Sequence, residues 1–508
     1  MSLRFGRFYS ALLMKQQVVR FLLKLLRIVL VILAAAVFFL LILFFLVSSP
    51  PKWNNQRDNV INDVTGLNAI QVKKIHQPLT ITEISDLIQN FEGPISIGGT
   101  RHSMGGQIGT DSSLHLDMRE FNQVISFSQE KKEITVQSGI TWREVQEFID
   151  PYDLSIMVMQ TYANFTVGGS LSVNVHGRYI RYGSIVHSVK SMRFILPSGE
   201  LINASPIENS DIFYGSIGGY GGLGVIAEVT LSLVDNCKVE RESTEMLYTS
   251  YYDYFIKNIR DDSLLIFHNA DIYPESYEDV RSVSYKKTDL PVTVMERLKP
   301  LNKNYRMERF AMWLVAEMPG GTWIRQHWGD PIVYSRREVK WRNHEASYDA
   351  LELEPTSRDE STYVLQEYFV PVENFNTFVP KMVNIFRQYD VNVINVSIRH
   401  AKADTLTLLS WAPREVFCFV IYYKQDTSKE ANEQVGNWTR EMIDAALSEN
   451  GRYYLPYQLH ATIDQFKQAY PKHTEFFALK QKVDPGRRFL NKMWDKYYVP
   501  LVNSDTAR

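Results

Sequence analysis

"SIGGTRHSMGGQ", Ser96 to Gln107, sets four glycines around one histidine and one arginine. Glycine permits positive φ and lets another group come close to the main chain. So many bare positions predict a loop that wraps a guest, with His102 beside it. The residues leading in, "GPISIGG", read as a short strand. Upstream, "TITEISDLIQNF" predicts a helix with Thr80 and Glu83 as a capping box and Ile84, Leu87, Ile88 and Phe91 as one apolar stripe. Downstream, "KEITVQSG" predicts a strand and "TWREVQEFI" a helix capped by Thr141, with Glu144 three residues on. Strand, helix and strand in quick succession point to an α+β or α/β fold.

Two more glycine clusters follow. "TVGGSLSVNVHGRYIRYGS" (Thr166 to Ser184) precedes a strand-like "SVKSMRFILPSGELI", whose Pro197-Ser198-Gly199 signals a turn. "SIGGYGGLGVIAEVTLSLV" ends in alternation. Val225, Ala227, Val229, Leu231 and Leu233 are expected on one face, with Glu228, Thr230 and Ser232 on the other, as in a half-buried strand. From about 240 to 445 glycines thin out and tyrosines, prolines and charges increase, which predicts a second domain.

Backbone N–H groups in glycine-rich turns make concave anion sites. The standard phosphate signatures do not fit. No G-x-x-x-x-G-K-[ST] occurs. "GGYGGLG" runs into a strand, whereas a dinucleotide fingerprint opens a helix. No H-E-x-x-H, C-x-x-C or G-x-S-x-G occurs, so no metal site and no serine nucleophile elbow is expected.

The chain has 508 residues, too many for one core, and 13% aromatic residues, which argues against disorder. A net charge of -2 gives no global pull toward nucleic acid, and none is expected as a partner. Cys237 and Cys418 exclude a disulfide scaffold and read as isolated thiols. The N-terminus is the exception to this ordinary composition. Ile28 to Val47 carries no polar residue, and a helix that long matches the roughly 30 Å hydrocarbon layer. Arg4, Arg7, Lys15, Arg20, Lys24 and Arg27 precede it without an acidic residue. A retained single-pass anchor is expected, with the N-terminus cytoplasmic and the bulk of the chain on the extracytoplasmic side. The long basic region and the lack of an A-x-A site argue against a cleaved signal.

The ordered pieces "GGTRHSMGG", "TVGGSLSVNVHGR" and "IGGYGGLGVIAEVTL", with the C-terminal D-P-x-x-x-F of "KVDPGRRFLN", resemble the vanillyl-alcohol oxidase/PCMH-type FAD-binding superfamily. Within it the chain is similar to aldonolactone and alditol oxidases and to decaprenylphosphoryl-ribose oxidase. The resemblance implies an α+β fold: a two-subdomain PCMH-type FAD-binding domain and a second α+β substrate (cap) domain, preceded by one transmembrane helix. The implied organisation is a basic segment 1–27, span 28–47, linker 48–64, FAD domain 65–236, cap 237–449, C-terminal return 450–498 and tail 499–508. It also implies FAD, its pyrophosphate wrapped by Gly98, Gly99, Thr100, Arg101, His102 and Ser103 in the first loop, with a covalent bond through His102. Gly168, Gly169, Ser172, His176 and Gly177 would stand near the phosphates and ring system, and Gly222, Val225 and Ile226 near the adenine end.

On the substrate side the chain departs from the family. Where aldonolactone and alditol oxidases carry H-W-x-K, it reads "RYYLPYQLHAT", with Tyr457 in the place of the lysine. Tyr457, Gln458 and His460 are the polar catalytic candidates there, and Arg178 is a candidate to reach an anionic substrate group or the flavin N1 region. The resemblance implies hydride transfer from an alcohol carbon of a sugar-like or lipid-linked substrate to flavin N5, with oxygen or a membrane quinone as acceptor. Two other readings stay open. One is a flavin-dependent reductase of a sterol or prenyl double bond, marked by a nicotinamide requirement. The other is a non-catalytic flavin-fold binding module, marked by a stable fold without flavin.

Overall fold

The computed structural model describes residues 2–49, 58–301 and 305–506. Residues 50–57 of the expected linker lie outside the described residues, as do the last two of the tail. Ser2–Val47 is one continuous helix, so the basic segment and the apolar run are a single element. Its stretch Val19–Val47 is long and apolar enough to cross a membrane. The tail begins as a helix, Val499–Thr506, in which Val502 is buried.

The first glycine loop leaves the edge of a small parallel sheet. Ile95–Gly98 pairs with Leu114–Asp117, which pairs with Lys74–His76. The capped helices form where expected, with one difference. Thr80 accepts from the Glu83 amide, but the Glu83 carboxylate turns away to the Leu79 amide and to His76 at 2.6 Å. The nearby imidazole draws the carboxylate off, so that box is half closed. The box at Thr141 and Glu144 is complete.

A second, antiparallel sheet runs in the order Leu201–Ala204, Val189–Ile195, Val225–Asp235, Glu133–Gln137 and Val124–Ser128. Leu154–Ile156 pairs with the far end of the central strand. The expected alternation along that strand fails at one point. The register shifts between Ile226 and Glu228. Val225 and Ala227 therefore pack into the small core with Ile84 and Leu116, whereas Ile226, Val229, Leu231 and Leu233 pack into the large one. A bulge inserts one extra residue and reverses the parity of everything after it. This strand is thus the wall shared by two cores.

Two residues later, Lys238–Leu247 starts an eight-stranded antiparallel sheet. Its order is Val339–Trp341, Lys238–Leu247, Asp279–Lys287, Leu265–Ile272, Val393–Ala401, Val416–Asp426, Ser361–Pro371 and Arg452–Tyr453. Phe375–Gln388 and Lys429–Ser448 pack on one face through Phe378, Met382, Trp438 and Met442. Cys418 is buried and Cys237 half-buried, and neither is in a disulfide.

The chain then returns to the first unit. Phe489 bridges Ile95, and the Ile95 amide donates to the Arg488 carbonyl at 2.6 Å. Lys480, fully buried, donates to Asp484 at 2.9 Å, to the Gly222 carbonyl at 2.6 Å and to the Phe489 carbonyl at 2.8 Å. Asp484 in turn accepts from the amides of Arg488 and Phe489. Leaving one buried charge unpaired costs about 3–5 kcal/mol. Lys480→Ala or Asp484→Ala is accordingly expected to lower stability by about that amount, with the double substitution costing less than the sum. Chemical denaturation of the four proteins checks it.

Candidate active site

The three glycine turns and the inner face of the eight-stranded sheet enclose one cavity. Its empty space is about 1900 Å³, open mouth included. Gly98 to Ser103 form one wall, Gly168, Gly169, Ser172 and His176 a second, and Gly222 and Ile226 a third. Loops one and two touch directly: a Cβ at Gly99 would overlap the Thr166 hydroxyl. Gly221, at φ +67°, turns the third loop along the cavity.

At the first loop Arg101, in a left-handed conformation at φ 61°, lies 3.1 Å from Asp117. Arg119 also bonds Asp117, at 2.5 Å. Burial alone would raise the Asp117 carboxyl. The hydrogen bond and charge of Arg119, with Arg101 behind, hold it below its ordinary value instead. Two cations share one carboxylate, and the buried Arg101 Nε has no partner. An excess positive charge and an unsatisfied donor are what an anionic guest requires.

His102 stacks on Phe165 at 4.2 Å, and its Nδ1 lies 3.0 Å from the Thr100 hydroxyl. Burial pushes its pKa down to about 4, so the imidazole is neutral and nucleophilic at neutral pH.

The far end of the cavity is built by the sheet. Tyr363, Leu365 and Glu367 are alternate residues of Ser361–Pro371 and face inward together. Val420 is the cross-strand partner of Glu367 and Tyr422 that of Leu365, and both line the cavity. Arg399 comes from the next strand. Glu367, 3% exposed, is the hub: the Tyr457 hydroxyl donates to its Oε2 at 3.3 Å, and His176 Nε2 lies 2.6 Å from its Oε1. Burial, with Glu367 alongside, holds the Tyr457 phenol well above its ordinary value. Cys418 adds its thiol, within 4.8 Å of the ligand atoms of His176 and Glu367, and burial keeps that thiol protonated. Arg399 has a buried Nε without a partner and, among the described residues, no carboxylate in salt-bridge range.

The structure therefore brings together His102, His176 and Tyr457 with the loop glycines, and it adds Phe165, Glu367 and Arg399. Several expected site residues stand elsewhere. Gly177 and Val225 do not line the cavity. Gly177 packs against the Met159 carbonyl and Val225 in the small core. Arg178 is spent in a 2.6 Å ion pair with the fully buried Glu345, which keeps its pKa raised despite burial. Gln458 and His460 face a separate shallow groove with Asn432 and Lys496. Directly after Tyr457, the chain turns its side chains out of the cavity.

The fold and this cavity define a flavoprotein of the PCMH type. Residues 72–205 match the FAD binding domain family, and residues 229–497 match the D-arabinono-1,4-lactone oxidase family. L-gulonolactone oxidase of Scyliorhinus torazame is 22% identical over 83% of this chain and 94% of its own length. That of Bos taurus is 20% identical over the same shares. Mitochondrial L-galactono-1,4-lactone dehydrogenase of Arabidopsis thaliana is 28% identical over 39% of this chain and 32% of its own length. The chain belongs to the D-arabinono-1,4-lactone oxidase family and is an FAD-dependent oxidoreductase.

Three histidines of this region and its backing stay neutral: His102 and His460 with pKa about 4 and His115 about 3, all through burial. An unfolded imidazole takes its proton near 6.5. Between there and pH 4 the unfolded chain binds more protons, so stability is expected to fall as pH falls through that window. Denaturant titrations across it are expected to show that slope, and His102→Gln to flatten it.

Proposed function

We propose that the chain oxidises an alcohol carbon of a sugar-derived lactone, anchored to a membrane by its N-terminal helix, with FAD joined covalently to His102. The observation that carries this reading is the Glu367 carboxylate, which accepts from the Tyr457 hydroxyl on one oxygen and has His176 Nε2 2.6 Å from the other, beside an unpaired Arg399. When bound, FAD supplies the acceptor for the hydride that leaves the carbon. The chain's own residues manage the proton. Glu367 receives it from the substrate hydroxyl, directly or through Tyr457, and His176 on its other oxygen fixes the carboxylate. The phenol is held protonated, so Tyr457 orients and donates rather than acting as the final base. Arg399 pairs with the oxygen on which negative charge grows as the hydroxyl is lost. Arg101 and the first loop bind the pyrophosphate end.

The relatives named as lactone oxidases and dehydrogenases support the oxidative direction over double-bond reduction and over a binding module. The neutral His102, stacked and tethered in the first loop, supports the covalent bond.

Acid precipitation of the detergent-solubilised protein is expected to leave yellow flavin in the pellet, and His102→Ala to release or lose it. Glu367→Gln is expected to lower kcat about 10²–10⁴-fold with flavin content unchanged. The probe is anaerobic bleaching of the flavin by D-arabinono-, L-galactono- and L-gulono-1,4-lactone. A loaded enzyme that none of the three bleaches refutes the lactone reading.

A further inference from the structure

We propose that the helical insertion from Tyr305 to Tyr334 is a second membrane contact, seated on the bilayer surface beside the anchor. The proposal rests on the anchoring put forward above. The insertion joins strands Asp279–Lys287 and Val339–Trp341 of the large sheet. It comprises helix Arg306–Glu317, then three short turns, Gly321–Ile324, Arg325–Gly329 and Asp330–Tyr334.

Its polarity is inverted. Apart from the exposed His327, which stacks on Trp323, the polar side chains of its short turns are turned inward. Arg325 reaches Asp330 at 3.3 Å, Asp271 at 3.4 Å and Asn395 at 2.9 Å. Gln326, 8% exposed, bonds Asp279 at 2.9 Å, and Thr322 bonds Glu275 at 2.7 Å. Six apolar side chains point out: Met307, Trp323, Ile324, Trp328, Ile332 and Val333, with Trp328 at 64% and Met307 at 67%. A surface helix facing water shows the reverse pattern. A contiguous exposed apolar patch marks an interaction surface.

The occupant follows from what the insertion touches. Phe310 packs edge-on against Phe44 at 5.3 Å, Arg306 lies 5.6 Å over the Phe45 ring, and Arg309 donates to the Ser49 carbonyl at 3.4 Å. Phe44 and Phe45 belong to the last turn of the apolar span, so they sit at the edge of the hydrocarbon layer. Whatever touches them is held at that depth. Tryptophans concentrate at this level, where a ring is half in lipid and half in water, and an apolar face over polar backing lies in the interface plane. The partner is therefore the bilayer that holds the anchor. The insertion also backs the cavity: Met312, Val315 and Ala316 pack on Tyr363 and Tyr422, which line it. The sheet end of the cavity is thus one helix, about 10 Å, from the membrane surface.

The test uses the full-length protein in phosphatidylcholine vesicles, with an environment-sensitive fluorophore on a single introduced cysteine in a Cys237→Ser background. Leu33→Cys reports the anchor, Trp328→Cys the insertion and Ile207→Cys, at an exposed position of the first unit, water. The expected result is quenching at 328 by a nitroxide on a shallow acyl carbon more than by a deep one, the opposite order at 33, and aqueous iodide quenching only at 207. Quenching at 33 with iodide access at 328 equal to that at 207 overturns the proposal and leaves the anchor standing. Iodide access at 33 as well refutes the anchor too. Shielding at 328 that rises with protein concentration and ignores nitroxide lipids assigns the face to a second copy of the chain and also overturns it. Trp323→Phe with Trp328→Phe keeps the readout independent of any one label: the pair is expected to weaken native tryptophan quenching by brominated lipid, leaving what Trp53 and Trp313 contribute.

Discussion

One buried ammonium decides how the cavity closes. Lys480 Nζ holds the carbonyl of the third glycine turn, the carbonyl of Phe489 and the Asp484 carboxylate at once. Desolvation lowers its pKa, and the Asp484 charge opposes that. Phe489 is in turn bridged to Ile95, at the start of the strand that feeds the first loop. Asn491 donates to the Tyr220 carbonyl inside the third turn. Two glycine loops more than a hundred residues apart are thus fixed by one short segment near the end of the chain. A glycine loop has little side-chain packing of its own, so its shape must be set by what grips its backbone. Here the Lys480 ammonium and the Asn491 amide do so, donating to the carbonyls of Gly222, Phe489 and Tyr220.

The same logic explains the opposite wall. A glycine-rich turn can present amides, but it cannot present a proton acceptor. The large sheet supplies that chemistry because a pleated strand aims alternate residues at one face. Glu367 and its inward neighbours Tyr363 and Leu365 face the cavity, while Gln366 on the other side bonds Thr439 of the covering helix at 2.7 Å. The backbone of one unit and the side chains of the other meet across the cavity, so neither is a complete site alone.

Much of this was legible in the sequence where the signal is local. The glycine loops, the capped helices and His102 are read from spacing and residue type. The bulge at Ala227 was not, because a one-residue insertion leaves no mark on apolar alternation until the partner strands are known. Glu367 and Arg399 were missed for a related reason: they lie in apolar strands, and only the register brings them beside Tyr457. One signal was available, a glutamate at an alternate position of "TYVLQEYFVP". Conversely, Arg178, Gln458 and His460 were drawn in by nearness in sequence to motif residues. On an irregular segment that nearness says nothing about the direction of the next side chain.

The cavity's charge also could not be seen in a net charge of -2. Positive groups stand at two poles: Arg101 with Arg119 against a single Asp117 at the glycine end, and Arg399 at the sheet end. Between them His102 is held neutral by burial and Tyr457 by burial beside a carboxylate. Such a site pays a desolvation cost to keep two cations out of water, which is recovered only if a guest brings negative charge to both places. At the glycine end that charge is permanent and secures binding. At the sheet end, in the proposed reaction, it is needed only while a proton departs toward Glu367; Arg399 would then discriminate between the reacting state and the resting one, and such a difference is what accelerates a reaction.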